Sequence, residues 1–170
     1  TSTDNIIYCV EPKFDGSSIA VIYEGDMLLR AATRGDGIQG DEITINAKRM
    51  RSLPLRADFS KYGIHKVEIR GEVVIGKETF ARINEKRESE GQQILQNPRN
   101  SAAGALRVKD SEEIERRGLE AFMYHIAYAV DKDGNDLLGD QLRYHFDNIE
   151  MLGKLGFKIP EKKKKKCHSV

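Results

Sequence analysis

The residues from Lys66 to Ile75 limit the fold more sharply than any other stretch of the chain. Val67, Ile69, Gly71, Val73 and Ile75 share one parity, and Glu68, Arg70, Glu72 and Val74 share the other. A period of two belongs to a β-strand, here with one face on a core and one face mostly ionisable. An open solvent face is the commoner cause of such charge. The floor of a cleft is the other.

The neighbours that this strand needs are visible. Ser18 to Tyr23 and Met27 to Thr33 are β-rich runs separated by Glu24-Gly25-Asp26, a hairpin turn in which Gly25 can take positive φ. Ile6 to Val10 reads as a short buried strand. Ala121 to Val130 reads as another, with Phe122, Tyr124, Ile126 and Tyr128 on one face. Between the strands lie helix signals. Ile43 to Ala47 starts a short helix with a basic end, Lys48-Arg49-Met50-Arg51, stopped by Pro54. Lys77 to Glu90 is a helix whose inner stripe is Phe80, Ala81 and Ile83, closed by Gly91. Asn97 can cap a helix with Pro98 in its first position, and small residues from Ser101 to Ala105 follow. Leu142, Phe146, Ile149, Leu152 and Leu155 recur at helical spacing, from about Asp140 to the cap at Gly156. The total is an α+β domain, antiparallel sheets with flanking helices.

Composition excludes several classes. The chain has 170 residues, 39% hydrophobic and 32% charged, enough for one domain with a real core. No apolar run approaches the ~20 residues of a membrane span, and no secretory signal is visible. Cys9 and Cys167 lie far apart, with neither disulfide nor zinc spacing, which suggests a reducing, cytoplasmic setting. A net charge of +1 excludes a surface that is basic all over. Local clusters remain, namely Arg99 with Arg107 and the group from Lys48 to Arg51. The lysines from Lys162 to Lys166 read as a solvated loop.

Chemistry centres on Glu11-Pro12-Lys13-Phe14-Asp15-Gly16. If the first strand stays extended past Pro12, Glu11, Lys13 and Asp15 share a face. A lysine between carboxylates, beside a glycine that allows close backbone approach, is a candidate nucleophile. An exposed strand end running into a turn is the plainer reading. Nucleophilic attack needs an unprotonated amine, whereas free lysine titrates near ~10.4. Burial or a nearby cation must supply the difference. Arg34 and Arg70 are candidate cations, and Glu11 and Asp15 oppose them.

Four strings in order decide between these readings: Lys13-Phe14-Asp15-Gly16, Thr33-Arg34-Gly35-Asp36-Gly37, Val67 to Glu72, and Asn97-Pro98-Arg99-Asn100-Ser101-Ala102-Ala103-Gly104 running on to Arg107. Together they resemble the adenylation domain of bacterial NAD-dependent DNA ligases, and the resemblance covers nearly the whole chain. It implies a nucleotidyltransferase (ATP-grasp-like) core. Lys13 would attack the α-phosphate of NAD, hold AMP as a phosphoramidate and pass it to the 5′-phosphate of nicked duplex DNA. Glu11 would contact the adenine edge, and Tyr124 would stack on the base. Asp15 and Glu72 would serve the ribose or metal, Arg34 the phosphate or ribose side, and Arg99 and Arg107 the departing nucleotide and the DNA. Magnesium is implied by the phosphoryl transfer. Cytoplasmic, nucleoid-associated work in replication and repair follows, with no membrane partner.

Some of the family pattern has no counterpart here. A later strand with an Asp-Gly-Val-x-x-Lys motif, a further lysine, the nicotinamide-binding amino-terminal domain and the carboxy-terminal domains, one of them zinc-binding, are not found. Residues 1–170 therefore read as an adenylation-domain fragment that would not adenylylate itself, with a sheet edge open to pairing with another copy. Two rivals stay open: an ATP-dependent ligase or capping-type nucleotidyltransferase, and a fragment that binds nucleotide or DNA without chemistry.

Overall fold

A computed structural model describes residues 8–35, 39–160 and 165–167. Its centre is a four-stranded antiparallel sheet in which β3 (Met27–Thr33), β2 (Ser17–Glu24), β4 (Lys66–Ile75) and β5 (Leu119–Val130) lie side by side in that order. Strands β2 and β3 form the expected hairpin. Its turn has φ of 55° at Gly25 and 70° at Asp26, the pair of positive values that matches strand twist in a two-residue loop. Strand β4 lies between β2 and β5, so Ser18 faces Glu72 and Glu72 faces Phe122.

The alternation in β4 is realised. Val67, Ile69, Val73 and Ile75 are buried, and Glu68, Arg70 and Glu72 stand on the other face. The core on the apolar face includes Ile19, Val21 and Tyr23 of β2 and Ala121 and Met123 of β5. Tyr23 packs its ring on Phe59 and Phe157, with centroids 5.3 and 5.4 Å away. Helix α1 (Thr44–Ala47) and helix α3 (Pro98–Leu106) close this side. The two are clamped together because buried Asn46 donates its amide to the carbonyls of Leu106 and Val108, at 2.8 and 2.9 Å. Asn97 caps α3 as expected, its side chain accepting from the Arg99 amide at 2.8 Å.

Strand β5 departs from simple alternation. Arg70 faces His125 while Gly71 faces Met123, which leaves Tyr124 as an extra residue, and Ala127 is extra in the same way. These two bulges reset the parity. Phe122 and Tyr124 stay on the ionisable face, but Ile126, expected beside them, is turned into the core at 4% exposure. Gly71 permits the close passage there, since a Cβ on it would lie 2.5 Å from Met123 Sδ.

Other expectations are corrected. Strand β1 is Tyr8–Val10, and it pairs with β6 (Lys165–Cys167) in a separate two-stranded ribbon. Tyr8 and Val10 are exposed, because a ribbon outside the main sheet has no core to cover them. The end of the lysine run is thus strand rather than loop, and Lys166 reaches Asp147 at 3.1 Å. Lys162 to Lys164, Asp36 to Ile38, and Ile6 and Ile7 lie outside the described residues. Helix α2 (Lys77–Ser89) buries no residue fully: Phe80 and Ile83 lean on the core and Ala81 faces solvent. A short helix α4 (Glu112–Arg116) buries Ile114. Helix α5 (His145–Lys154) starts after the expected Asp140. A turn delivers Leu142 to the core instead, its carbonyl accepting from the Asn148 amide at 2.8 Å. Both sheet edges are partly occupied, with backbone bonds of 2.9 Å from Met123 to Lys158 and from Leu28 to Leu55.

Candidate functional site

Glu11 to Gly16 has no regular structure, and contacts with four different elements fix its course. Glu11 Oε2 meets His145 Nε2 of α5 at 2.8 Å. The Phe14 ring stacks on Phe122 of β5, with centroids 4.4 Å apart and planes at 19°. Asp15 lies 3.5 Å from the Arg99 guanidinium at the start of α3. The Gly16 amide donates to Glu72 Oε1 of β4 at 3.2 Å. Gly16 has no alternative, because a Cβ would fall 2.1 Å from the Val73 carbonyl oxygen.

This route replaces the expected common face. Strand geometry ends at Val10, so Glu11, Lys13 and Asp15 diverge. The Glu11 side chain is only 19% exposed and that of Asp15 is 81% exposed. Lys13 is exposed at the mouth of an open cavity of about 840 Å³ that also includes Phe14, Arg51, Glu120, Phe122 and Lys158. Lys158 lies 2.5 Å from Glu120 and 5.1 Å above the Phe122 ring centre. Arg51 and Lys158 therefore add cations beside Lys13 that sequence reasoning did not reach.

A second cavity of about 350 Å³ opens on the Gly16 side of the segment. Ser18, Arg34, Arg99, Asn100 and Arg107 line it. The expected pairing of Arg99 with Arg107 on one side of α3 is realised there, and Arg107 reaches Asp41 at 2.5 Å. Beside it each Glu72 oxygen accepts one hydrogen bond, Oε2 from the Ser18 hydroxyl at 3.0 Å. Tyr124 is half-buried nearby. Burial first, then the Glu72 charge, push its phenol above the usual value, while Ser18, Arg34 and Arg70 pull the other way. The structure thus gathers Arg34, Glu72, Arg99, Arg107 and Tyr124 around one end of the sheet face. Lys13 stands across Phe14 from them, in the adjoining cavity.

His125 and His145 were not foreseen. Their ring centroids are 6.1 Å apart. Burial, followed by the charges of His145 and Arg70, holds His125 below the ordinary imidazole value, against the pull of Glu11 and Glu68. His145 is 134 positions from Glu11 in sequence, so no local pattern joins them.

Fold and site define an α+β domain with a lysine-bearing segment pinned across a charged, antiparallel sheet face. The profile of the NAD-dependent DNA ligase adenylation domain matches residues 1–170, and the chain belongs to that family. It is 57% identical over 167 residues to a DNA ligase of Persephonella marina, a match covering 98% of this chain and 23% of that protein. It is 55% identical over its whole length to a DNA ligase of Sulfurihydrogenibium azorense, covering 24% of that protein. With a DNA ligase of Aquifex aeolicus identity is 44%, over all of this chain and 23% of the relative. The chain spans about a quarter of the length of these relatives. Among the described residues no helix is long and apolar enough to cross a membrane.

Proposed function

We propose that this chain is the part of an NAD-dependent DNA ligase that takes up AMP, with Lys13 as nucleophile. One observation carries the reading: the segment bearing Lys13 is held by α5, β5, α3 and β4 at once, between two cavities rich in cations. Catalysis of phosphoryl transfer is mostly positioning and charge neutralisation, and a pinned lysine among arginines suits both.

In the proposed step the Lys13 Nζ lone pair forms a bond to the α-phosphorus of NAD. The P–O bond to nicotinamide mononucleotide breaks, and the amine proton passes to solvent. A 5′-phosphate oxygen at a DNA nick then displaces Lys13 from AMP, and the 3′-hydroxyl of the nick displaces AMP in turn. The open sheet face is read as half of a nucleotidyltransferase core, with Tyr124 as the platform for adenine. Stacking on such a ring contributes about 1–3 kcal/mol. Glu11, whose Oε1 is buried without a hydrogen-bond partner, suits the adenine amino group. Arg34 and Glu72 bracket the ribose and phosphate, and Arg99 and Arg107 face the departing nucleotide and the DNA.

Magnesium, when bound, would neutralise phosphate charge. Exposed Asp15 suits it better than Glu72, whose oxygens already accept two hydrogen bonds. A single carboxylate is adequate, because Mg²⁺ keeps several waters and takes phosphate oxygens as ligands. Sealing nicks in replication and repair, in the cytoplasm, is the role that follows for the whole ligase.

The test uses a whole ligase containing this domain. Lys13→Ala should abolish the covalent enzyme–AMP species formed from NAD and Mg²⁺, while sealing of pre-adenylylated nicks persists in part. An adenylate that still forms on the variant would remove Lys13 from the role. Binding of nucleotide with no adduct in the unmodified ligase would favour a binding module.

A further inference from the structure

The buried end of the Lys13 segment holds a cluster of which the chemistry above uses only Glu11. Cys9 Sγ, a Glu11 carboxylate oxygen and a His145 ring nitrogen all lie within 4.8 Å of one another, and each residue is half-buried. The topology accounts for it. Cys9 lies in β1 and Glu11 just past its end, and His145 is the first residue of α5 and meets Glu11 there.

A second observation points to a ligand. Glu11 Oε1 is buried with no hydrogen-bond partner, while Oε2 is bound to His145. A buried carboxylate oxygen left unsatisfied is costly, and native structures pair such atoms with a donor or a cation. Bond lengths of about 2.3 Å to sulfur and 2.0–2.2 Å to nitrogen or oxygen would set the donors roughly 3.3–3.8 Å apart in a tetrahedral site. The Glu11–His145 contact of 2.8 Å would open by about half an ångström to reach that spacing, and the separation from Cys9 Sγ, at most 4.8 Å, would close by no more than about an ångström, both within reach of side-chain rotation at Glu11 and His145.

We propose that Cys9, Glu11 and His145 form a binding site for a borderline-soft divalent cation of the Zn²⁺ type, with water in the fourth position. A thiolate and an imidazole select such an ion over Mg²⁺, which takes oxygen ligands. Binding releases the Cys9 thiol proton to water. It also replaces the Glu11–His145 hydrogen bond and takes up the Glu11 carboxylate. That last point bears on function, and it rests on the reading of Glu11 as the adenine contact. On that reading, metal and adenine nucleotide exclude one another, so Zn²⁺ is an inhibitor of AMP uptake.

Co²⁺, added to the 170-residue chain as a spectroscopic stand-in for Zn²⁺, tests the site. The chain has two cysteines, so a thiolate-to-cobalt charge-transfer band can arise only at Cys9 or Cys167. The site requires a saturable band at one equivalent, bleached by Zn²⁺. The band should be lost in Cys9→Ser, kept in Cys167→Ser, and shifted at least tenfold to weaker binding in His145→Ala, with far-UV circular dichroism confirming that each variant folds. Should Cys9→Ser fail to fold, Glu11→Gln serves in its place, with the same tenfold loss expected. Absence of the band, its survival in Cys9→Ser, or full affinity in His145→Ala or Glu11→Gln overturns the proposal. AMP is then titrated into the cobalt-loaded chain. Loss of the band supports exclusion. If AMP binds and the band persists, the metal site stands and the adenine role of Glu11 falls.

Discussion

The rings of Phe14 and Phe122 stack at 4.4 Å and tie the unstructured Lys13 segment to the middle of β5. No secondary structure holds Lys13, so this contact, with those of Glu11, Asp15 and Gly16, sets where its amine can go. Phe122→Ala should lower the free energy of unfolding by about 2 kcal/mol, less than the ~3–5 of a fully buried ring because this one is half-buried. On the proposed reading, the larger effect should be on lysyl-AMP formation, cut by at least tenfold in the whole ligase. Urea denaturation and AMP labelling measure the two. A variant that is less stable yet labels at the normal rate would show that the stack does not position Lys13.

Gly16 and Gly104 make a contrasting pair. A methyl at Gly16 would lie 2.1 Å from the Val73 carbonyl oxygen, in the centre of the sheet where backbone cannot recede. Around Gly104, on the exposed side of α3, a Cβ would meet nothing within 4 Å. Gly16→Ala should therefore destabilise by about 1–3 kcal/mol, the range of overpacking. Gly104→Ala should stabilise by about 0.8–1 kcal/mol, the difference in helix propensity. Thermal melts of the two variants must move in opposite directions. A neutral Gly16→Ala would mean that the segment does not press on β4.

His125 gives a pH dependence with a defined sign. Its folded value lies below the usual 6.5, because burial and the neighbouring charges of His145 and Arg70 disfavour the imidazolium. The unfolded chain therefore binds the proton more readily below that pH. Its contribution to stability is complete above 6.5 and is lost as pH falls from 6.5 towards the folded value. His125→Gln should flatten the fall in stability over that acidic interval and leave neutral stability nearly unchanged. An identical slope in the variant would assign the dependence to other groups.

How much of this was legible in the sequence depended on the range over which each signal acts. The alternation in β4, the Gly25-Asp26 turn and the Asn97 cap are local, written in neighbouring residues, and the structure reproduces them. Ile126 was misplaced because a bulge adds one residue to one strand only, and the cause, close packing at Gly71, lies on the strand opposite. Apolar character does not tell which sheet a strand joins, so the sequence places Tyr8 and Val10 in a buried strand that the structure exposes. At the site, Arg99 and Arg107, a local basic cluster in the sequence, line one cavity in the structure. Arg51, visible in the sequence only as part of a basic cluster, and Lys158 and His145 escape a sequence reading as neighbours of the Lys13 segment, because each meets it only through the tertiary fold. Cys9 was set aside for want of a nearby ligand pattern, and its neighbour His145 is 136 positions on, as the difference of the two residue numbers gives.

Arg34, Arg99 and Arg107 line one small cavity, yet their surroundings differ. Arg107 meets Asp41 at 2.5 Å, a close charge-assisted contact with both side chains about half exposed, whereas Arg99 meets Asp15 at 3.5 Å with side chains 62% and 81% exposed. An exposed pair of that length contributes about 0–1 kcal/mol to folding, so Arg99 is free to exchange its partner for a phosphate. On the proposed reading, Arg99→Ala in the whole ligase should leave thermal stability within about 0.5 kcal/mol. It should weaken binding to nicked DNA and lower the slope of log affinity against log salt by about 0.9, the value for one phosphate contact. Arg107→Ala should cost slightly more stability, because the closer Arg107–Asp41 contact is lost. Equal salt slopes for Arg99→Ala and the unmodified ligase would place Arg99 off the DNA, and would leave its contact with Asp15 as its whole role.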